Sequence, residues 1–161
     1  MMQPMLRRAP QRWLFYSPRK EDWRYRSPYF FLKGLARYRG PLQVEFAGAI
    51  PQWLPSMLRE TGTEDRVRLR GSISHDAALS LEKGADALLL TSAKVIGGRD
   101  YSIAGKTFEY FGLGRPILGI LTDGAMRDLV EQSGLGVIAD PDDEKAVAAA
   151  IERIAESPSP E

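Results

Sequence analysis

Between positions 13 and 154 short apolar runs alternate with segments of helical period, and Gly, Pro and Asp fall between them. The first run, at 13–16, is aromatic and apolar. Leu42, Val44 and Phe46 alternate with polar residues and stop at Gly48, and Val67 and Leu69 alternate with Arg68 and Arg70 before Gly71. A period of two predicts strands. The runs at 87–90, 117–121 and 136–139 are compact and bounded by Gly, Pro or Asp. They predict strands buried on both faces of a parallel sheet.

Helical stripes lie between these runs. Val147, Ala150, Ile151 and Ile154 recur at i, i+3, i+4 and i+7 behind the turn residues Asp140, Pro141 and Asp142, predicting a capped amphipathic helix. Shorter stripes run through Phe31, Leu35 and Tyr38, through Leu54, Met57 and Leu58, and through Met126, Leu129 and Val130. Strict strand–helix alternation predicts an α/β domain with a doubly wound, six-stranded, Rossmann-like parallel sheet. The expected strand order is 3-2-1-4-5-6, with the arginine-bearing third strand on an exposed edge. The expected boundaries are a basic tail at 1–11, one domain at 12–155 and a tail at 156–161.

That pattern locates a ligand. In such a sheet the crevice opens at the carboxyl ends of the strands where the order reverses, here between the first and fourth. The two connections leaving those strands, 17–27 and 91–104, are the long ones, as functional loops tend to be. The first carries Arg19, Lys20, Arg24 and Arg26, and the second, read through the following Gly105-Lys106, carries Lys94, Arg99 and Lys106. These seven cations are expected to converge on an anion. A helix is predicted to start at Gly105, Lys106 and Thr107, where unpaired amides and the helix dipole favour a phosphate and a glycine admits close approach. Glu109 follows. It is read as lying in the first turn, where the dipole favours its charge by about 0.3–1 kcal/mol, and as able to accept hydrogen bonds from vicinal hydroxyls.

Composition narrows the chemistry. The 161 residues contain no cysteine, so disulfides, thiolate nucleophiles and thiolate metal sites are excluded. The net charge is +1, but residues 1–40 hold ten of the 22 basic and two of the 21 acidic side chains. That asymmetry points to an anionic partner of the amino-terminal segment rather than to a nucleic-acid-binding protein. Arg7, Arg8 and Arg12 are expected to be solvated, with weak peripheral contact to anionic lipid as the alternative. No run suits a membrane span or a signal peptide, so a cytoplasmic location is the default. GxGxxG after the first strand, GxxxxGK[ST] and GxSxG are all absent. The single His75 reads as a capping or surface residue, and no catalytic residue is assigned.

The segment AGKTFEYFGLGRPILGI resembles the signature of the C-terminal, nucleotide-sugar-binding domain of GT-B glycosyltransferases of the family 4, or group 1, type. RVRLRGSISHDAALSLEKGADALLL and DLVEQSGLGVIADPDDEKAVAAAI resemble its flanking units in the same order. The resemblance implies half of a GT-B fold that binds a nucleotide diphosphate sugar as donor substrate, without cofactor or metal. It further implies that Glu109 binds the ribose hydroxyls and that Gly105, Lys106 and Thr107 meet the diphosphate or sugar. Ile73 and Ser74, in the turn from Gly71 to His75, would line the nucleobase, and Arg26, or next Arg19, would reach the diphosphate. Tyr101 stands where many members carry a second, sugar-side glutamate. The acceptor-binding domain of such enzymes is not in these residues, so a further domain or partner chain is implied. A noncatalytic GT-B half acting as an assembly module is the alternative, and a sugar-nucleotide epimerase of similar architecture is a third reading.

Overall fold

A computed structural model of the chain describes residues 21–157. The expected strand at 13–16 and the cations Arg7, Arg8, Arg12, Arg19 and Lys20 lie outside the described residues. Five of the expected strands are present. β2 (Val44–Ala47) pairs in parallel with β3 (Val67–Gly71), placing Phe46 opposite Leu69. β4 (Leu88–Thr91), β6 (Ile117–Ile120) and β7 (Gly136–Ala139) form a parallel sheet in the order 4-6-7. These groups match the two ends of the expected order. Among the described residues they are separate sheets, so the structure supports a parallel α/β fold and not the full six-stranded order.

Two strands escaped the sequence reading. β1 (Glu21–Asp22) and β5 (Lys94–Val95) pair antiparallel, and at two residues each they are too short to show a period. They clip together the two long loops that were expected to flank the crevice.

Helices α1 (Tyr29–Arg37), α2 (Leu54–Thr61), α3 (His75–Gly84), α4 (Gly105–Leu113), α5 (Ala125–Ser133) and α6 (Glu144–Ala155) fill the connections. The compact apolar runs are explained by parity, because successive side chains of a strand face opposite ways. Leu118 and Ile120 join a core with Phe31, Leu32 and Leu35 of α1 and Val147, Ala150 and Ile151 of α6. Ile117 faces a second core with Leu88 and Leu90 of β4, Tyr110 of α4 and Met126 and Val130 of α5. The β3 edge behaves as its sequence suggests: Arg70 makes a forked contact with Glu45 of β2 at 2.7–3.1 Å, and Arg68 lies 3.6 Å from the same carboxylate.

Close packing and chain reversal explain two glycines. A Cβ on Gly34 of α1 would fall 2.3 Å from Val147 Cγ1, so α1 and α6 approach only because position 34 has no side chain. Gly114 ends α4 in a left-handed conformation at φ 63°, and its N–H donates to Phe111 C=O, a common helix stop.

Candidate functional site

The site is built from the segments that leave the carboxyl ends of β3 and β4. After β3, Gly71 turns the chain at φ 71°, Ile73 is left exposed, and Ser74 caps α3 by accepting the Ala77 N–H at 3.2 Å. Beyond β4 and β5 the loop reaches Ala104, and α4 begins at Gly105 as the sequence suggests. No side chain caps this terminus, while the Thr107 N–H turns back to Ala104 C=O at 2.9 Å. The Thr107 hydroxyl is buried without a hydrogen-bond partner. A Cβ on Gly105 would meet no protein atom within 4 Å, so packing does not demand a glycine there.

Lys106 is the electrostatic centre of this region. Its ammonium donates to Glu82 Oε1 of α3 at 2.6 Å, lies 3.6 Å from Glu109 Oε2, and sits 5.7 Å from the centroid of the Tyr110 ring. The hydrogen bond to Glu82 holds the ammonium above the ordinary lysine range, against an opposing effect of burial. Burial pushes the Tyr110 hydroxyl up as well. Glu109 requires a correction. It is the fifth residue of α4, and the first turn contains no acidic residue. The dipole effect fades beyond that turn, so the cation beside Glu109, rather than the helix terminus, sets its local field.

Arg26 is brought to the same end of the sheet. Its guanidinium donates to Ser102 Oγ at 3.0 Å, and its carbonyl accepts from Thr91 Oγ1 at the tip of β4 at 2.8 Å. Ser102 in turn donates through its hydroxyl to the buried Asp100 at 2.6 Å.

The expected convergence of loop cations is corrected for the others that are described. Lys94 is bound by Asp142, which also accepts from Tyr25 OH. Arg99 forks onto both Asp123 and Asp128 at 2.9–3.0 Å. The Arg24 guanidinium lies over the Tyr29 ring at 5.2 Å. Lys94 and Arg99 therefore fasten loops and add little positive charge to the crevice. Sequence reasoning missed Glu82, Tyr25, Asp123 and Asp142 in these roles, because the pairing partners lie 24 to 117 residues apart and leave no local pattern.

Exposed apolar side chains border the same end of the molecule. Ile50 and Trp53 follow β2, Ile73 follows β3, and Ile96, Tyr101, Ile103 and Phe108 lie between β5 and the first turns of α4. Tyr101 is 65% exposed.

The family model for "Glycosyl transferases group 1" matches residues 14–157. The chain belongs to the group 1 glycosyltransferases. No curated protein matches it significantly. Among solved structures, this glycosyltransferase domain is similar to Anabaena HepE crystallised with UDP, with a TM-score of 0.64 and 19% identity over 83% of this chain and 36% of that one. HepE crystallised with UDP-glucose gives 0.64 and 18% over the same shares. Sucrose-phosphate synthase from Thermosynechococcus elongatus gives 0.65 and 20% over 91% and 39%. At these identities the likeness shows the fold. The chain spans little more than a third of the length of these relatives.

Proposed function

We propose that this chain is the donor-binding domain of a group 1 glycosyltransferase, holding a nucleotide diphosphate sugar between α3 and α4 for transfer of the sugar to an acceptor. The observation that carries the reading is Lys106 in the uncapped first turn of α4, with Glu109 beyond it at 3.6 Å and Glu82 tying the lysine to the helix that follows the Gly71–His75 turn. In this reading the exposed Glu109 carboxylate accepts the two ribose hydroxyls, and Ile73 and Ser74 border the base. Gly105, Lys106 and Thr107 meet the diphosphate, which Arg26 approaches from its anchor on Ser102; Arg19 is the second candidate. The chemical contribution is electrostatic. Ammonium, guanidinium and helix terminus stabilise the negative charge that accumulates on the departing nucleoside diphosphate, and no metal is required.

The remaining parts of the proposal follow from the same reading. The domain spans 12–155, with the strand order 3-2-1-4-5-6. Acceptor binding belongs to a further domain or a partner chain. Among the described residues no helix is long and apolar enough to cross a membrane, and a cytoplasmic site of action is part of the proposal.

Thermal unfolding with UDP, UDP-glucose, GDP, ADP and TDP tests it. A nucleotide at about 100 times its dissociation constant stabilises by about 2.7 kcal/mol, or roughly 5–10 °C for a domain of this size. Glu109→Ala should lose most of the shift. A melting temperature indifferent to every nucleotide would overturn the reading in favour of a noncatalytic assembly module.

A further inference from the structure

Glu82 lies outside the segment AGKTFEYFGLGRPILGI, in the flanking unit at 66–90, yet its carboxylate is 2.6 Å from the Lys106 ammonium of the candidate donor site. Its side chain is 15% exposed, against 56% for Lys106 and 54% for Glu109. The Lys106 ammonium therefore stands between two carboxylates of different character. One is sheltered, on α3, at 2.6 Å; the other is open to solvent, on α4, at 3.6 Å. Attraction is stronger at the shorter distance and in the less polar surroundings, and a charge-assisted hydrogen bond forms only at the shorter.

The placement has two consequences. An ammonium has three N–H donors, so Lys106 can keep Glu82 and still offer a donor to a phosphate oxygen. Glu109, relieved of a close ion pair, keeps its oxygens available to hydroxyls. The two helices bury little of their own surface. α3 has no fully buried residue, with Ala78, Leu79, Leu81 and Glu82 half-buried, and α4 fully buries only Thr107 and Tyr110. The Glu82–Lys106 bond is thus a direct tie between the element that starts at the turn carrying Ile73 and Ser74 and the element that carries Lys106 and Glu109.

We infer that Glu82 is a positioning residue of the donor site: by holding Lys106 it fixes the spacing of α3 and α4 and keeps the Glu109 carboxylate open for the ribose. This rests on the donor-binding reading above. Without the Glu82 charge, the ammonium moves to Glu109, its remaining carboxylate neighbour, and occupies the acceptor that the nucleoside needs. Glu82 then acts on the ligand only through Lys106.

A double-mutant cycle on the 161-residue chain, read by calorimetric titration with UDP, tests this. Glu82→Gln keeps the shape and an acceptor atom but removes the charge, and it should weaken UDP binding about tenfold. Glu82→Asp restores the charge and should recover most of the affinity, which a loss of packing would not allow. In a Lys106→Met background the same Glu82→Gln change should cost nothing further. If wild type binds UDP and Glu82→Gln binds equally well, or if its loss persists undiminished beside Lys106→Met, the inference is overturned while the donor reading stands. If Glu82→Gln does not fold, an affinity for Glu82→Asp reduced as severely as for Glu82→Ala overturns it too. Failure of wild type to bind UDP or the other nucleoside diphosphates removes the donor reading and the role of Glu82 with it.

Discussion

Two helix pairs divide the work of this domain. α1 and α6 meet through Leu32, Leu35, Val147 and Ile151, each at most 1% exposed, and Gly34 lets their backbones close on one another. Lys33 and Arg37 of α1 both reach Glu144 at the start of α6. α3 and α4 are held differently. α3 has no fully buried residue, α4 places an unpartnered hydroxyl in the interior, and an ion pair ties them together. The first pair is sealed by apolar area, the dominant favourable term in folding. The second leaves charged groups and helix amides at the surface. On the proposed reading, stability and ligand chemistry sit in different places, as expected where binding elements come from the less stable part of a fold.

The largest effect that breaks this contrast is Leu35→Ala. Removing a fully buried leucine from the sealed pair should cost about 2–5 kcal/mol, read as a lower urea midpoint with an unchanged slope. A cost as small as that of an exposed site would mean that α1 and α6 are not closely packed. Next come two glycines given the same change. Gly34→Ala forces a Cβ against Val147 and should destabilise by about 1–3 kcal/mol. Gly112→Ala, inside α4 with nothing within 4 Å of the new Cβ, should stabilise by about 0.5–1 kcal/mol. Equal effects at the two positions would erase the distinction.

The smallest expected effect is on pH dependence. Lys33 first, and then Arg37, hold the Glu144 carboxyl below the ordinary glutamate range. The ion pair's stabilisation is therefore complete above that range and is lost as pH falls through the lowered native value. Urea midpoints of wild type and Glu144→Gln should differ at neutral pH and converge in acid. Because the pair lies at the surface with Glu144 only half-buried, the difference should be small and sensitive to salt.

Much of the scaffold was legible because burial on both faces writes itself into the chain. The run at 136–139 coincides with β7, and the stripe from Val147 to Ile154 lies within α6. The start of α4 was legible for a local reason too, a glycine at a loop end before a helical stripe. What the sequence obscured was pairing at a distance. Lys94 and Arg99 look like crevice cations until Asp142, 48 residues away, and Asp123 and Asp128 come to meet them. Glu82 sits in a polar stretch of α3 that carries no mark of its contact with Lys106. Glu109 was identified as a candidate, but its field was assigned to the helix terminus when its nearest charge is Lys106. Charge patterns along a chain report supply, whereas the fold decides which charges are already used.

The central claim, that the lightly packed helix pair holds the donor, is most directly tested by amide NMR of the chain titrated with UDP-glucose. The account predicts saturable shifts at Gly105, Lys106, Thr107 and Glu109 and along the turn from Gly71 to His75, with Leu32, Leu35, Val147 and Ile151 unmoved. Shifts confined to α1 and α6, or none at concentrations that saturate other nucleotide-sugar-binding domains, would contradict it.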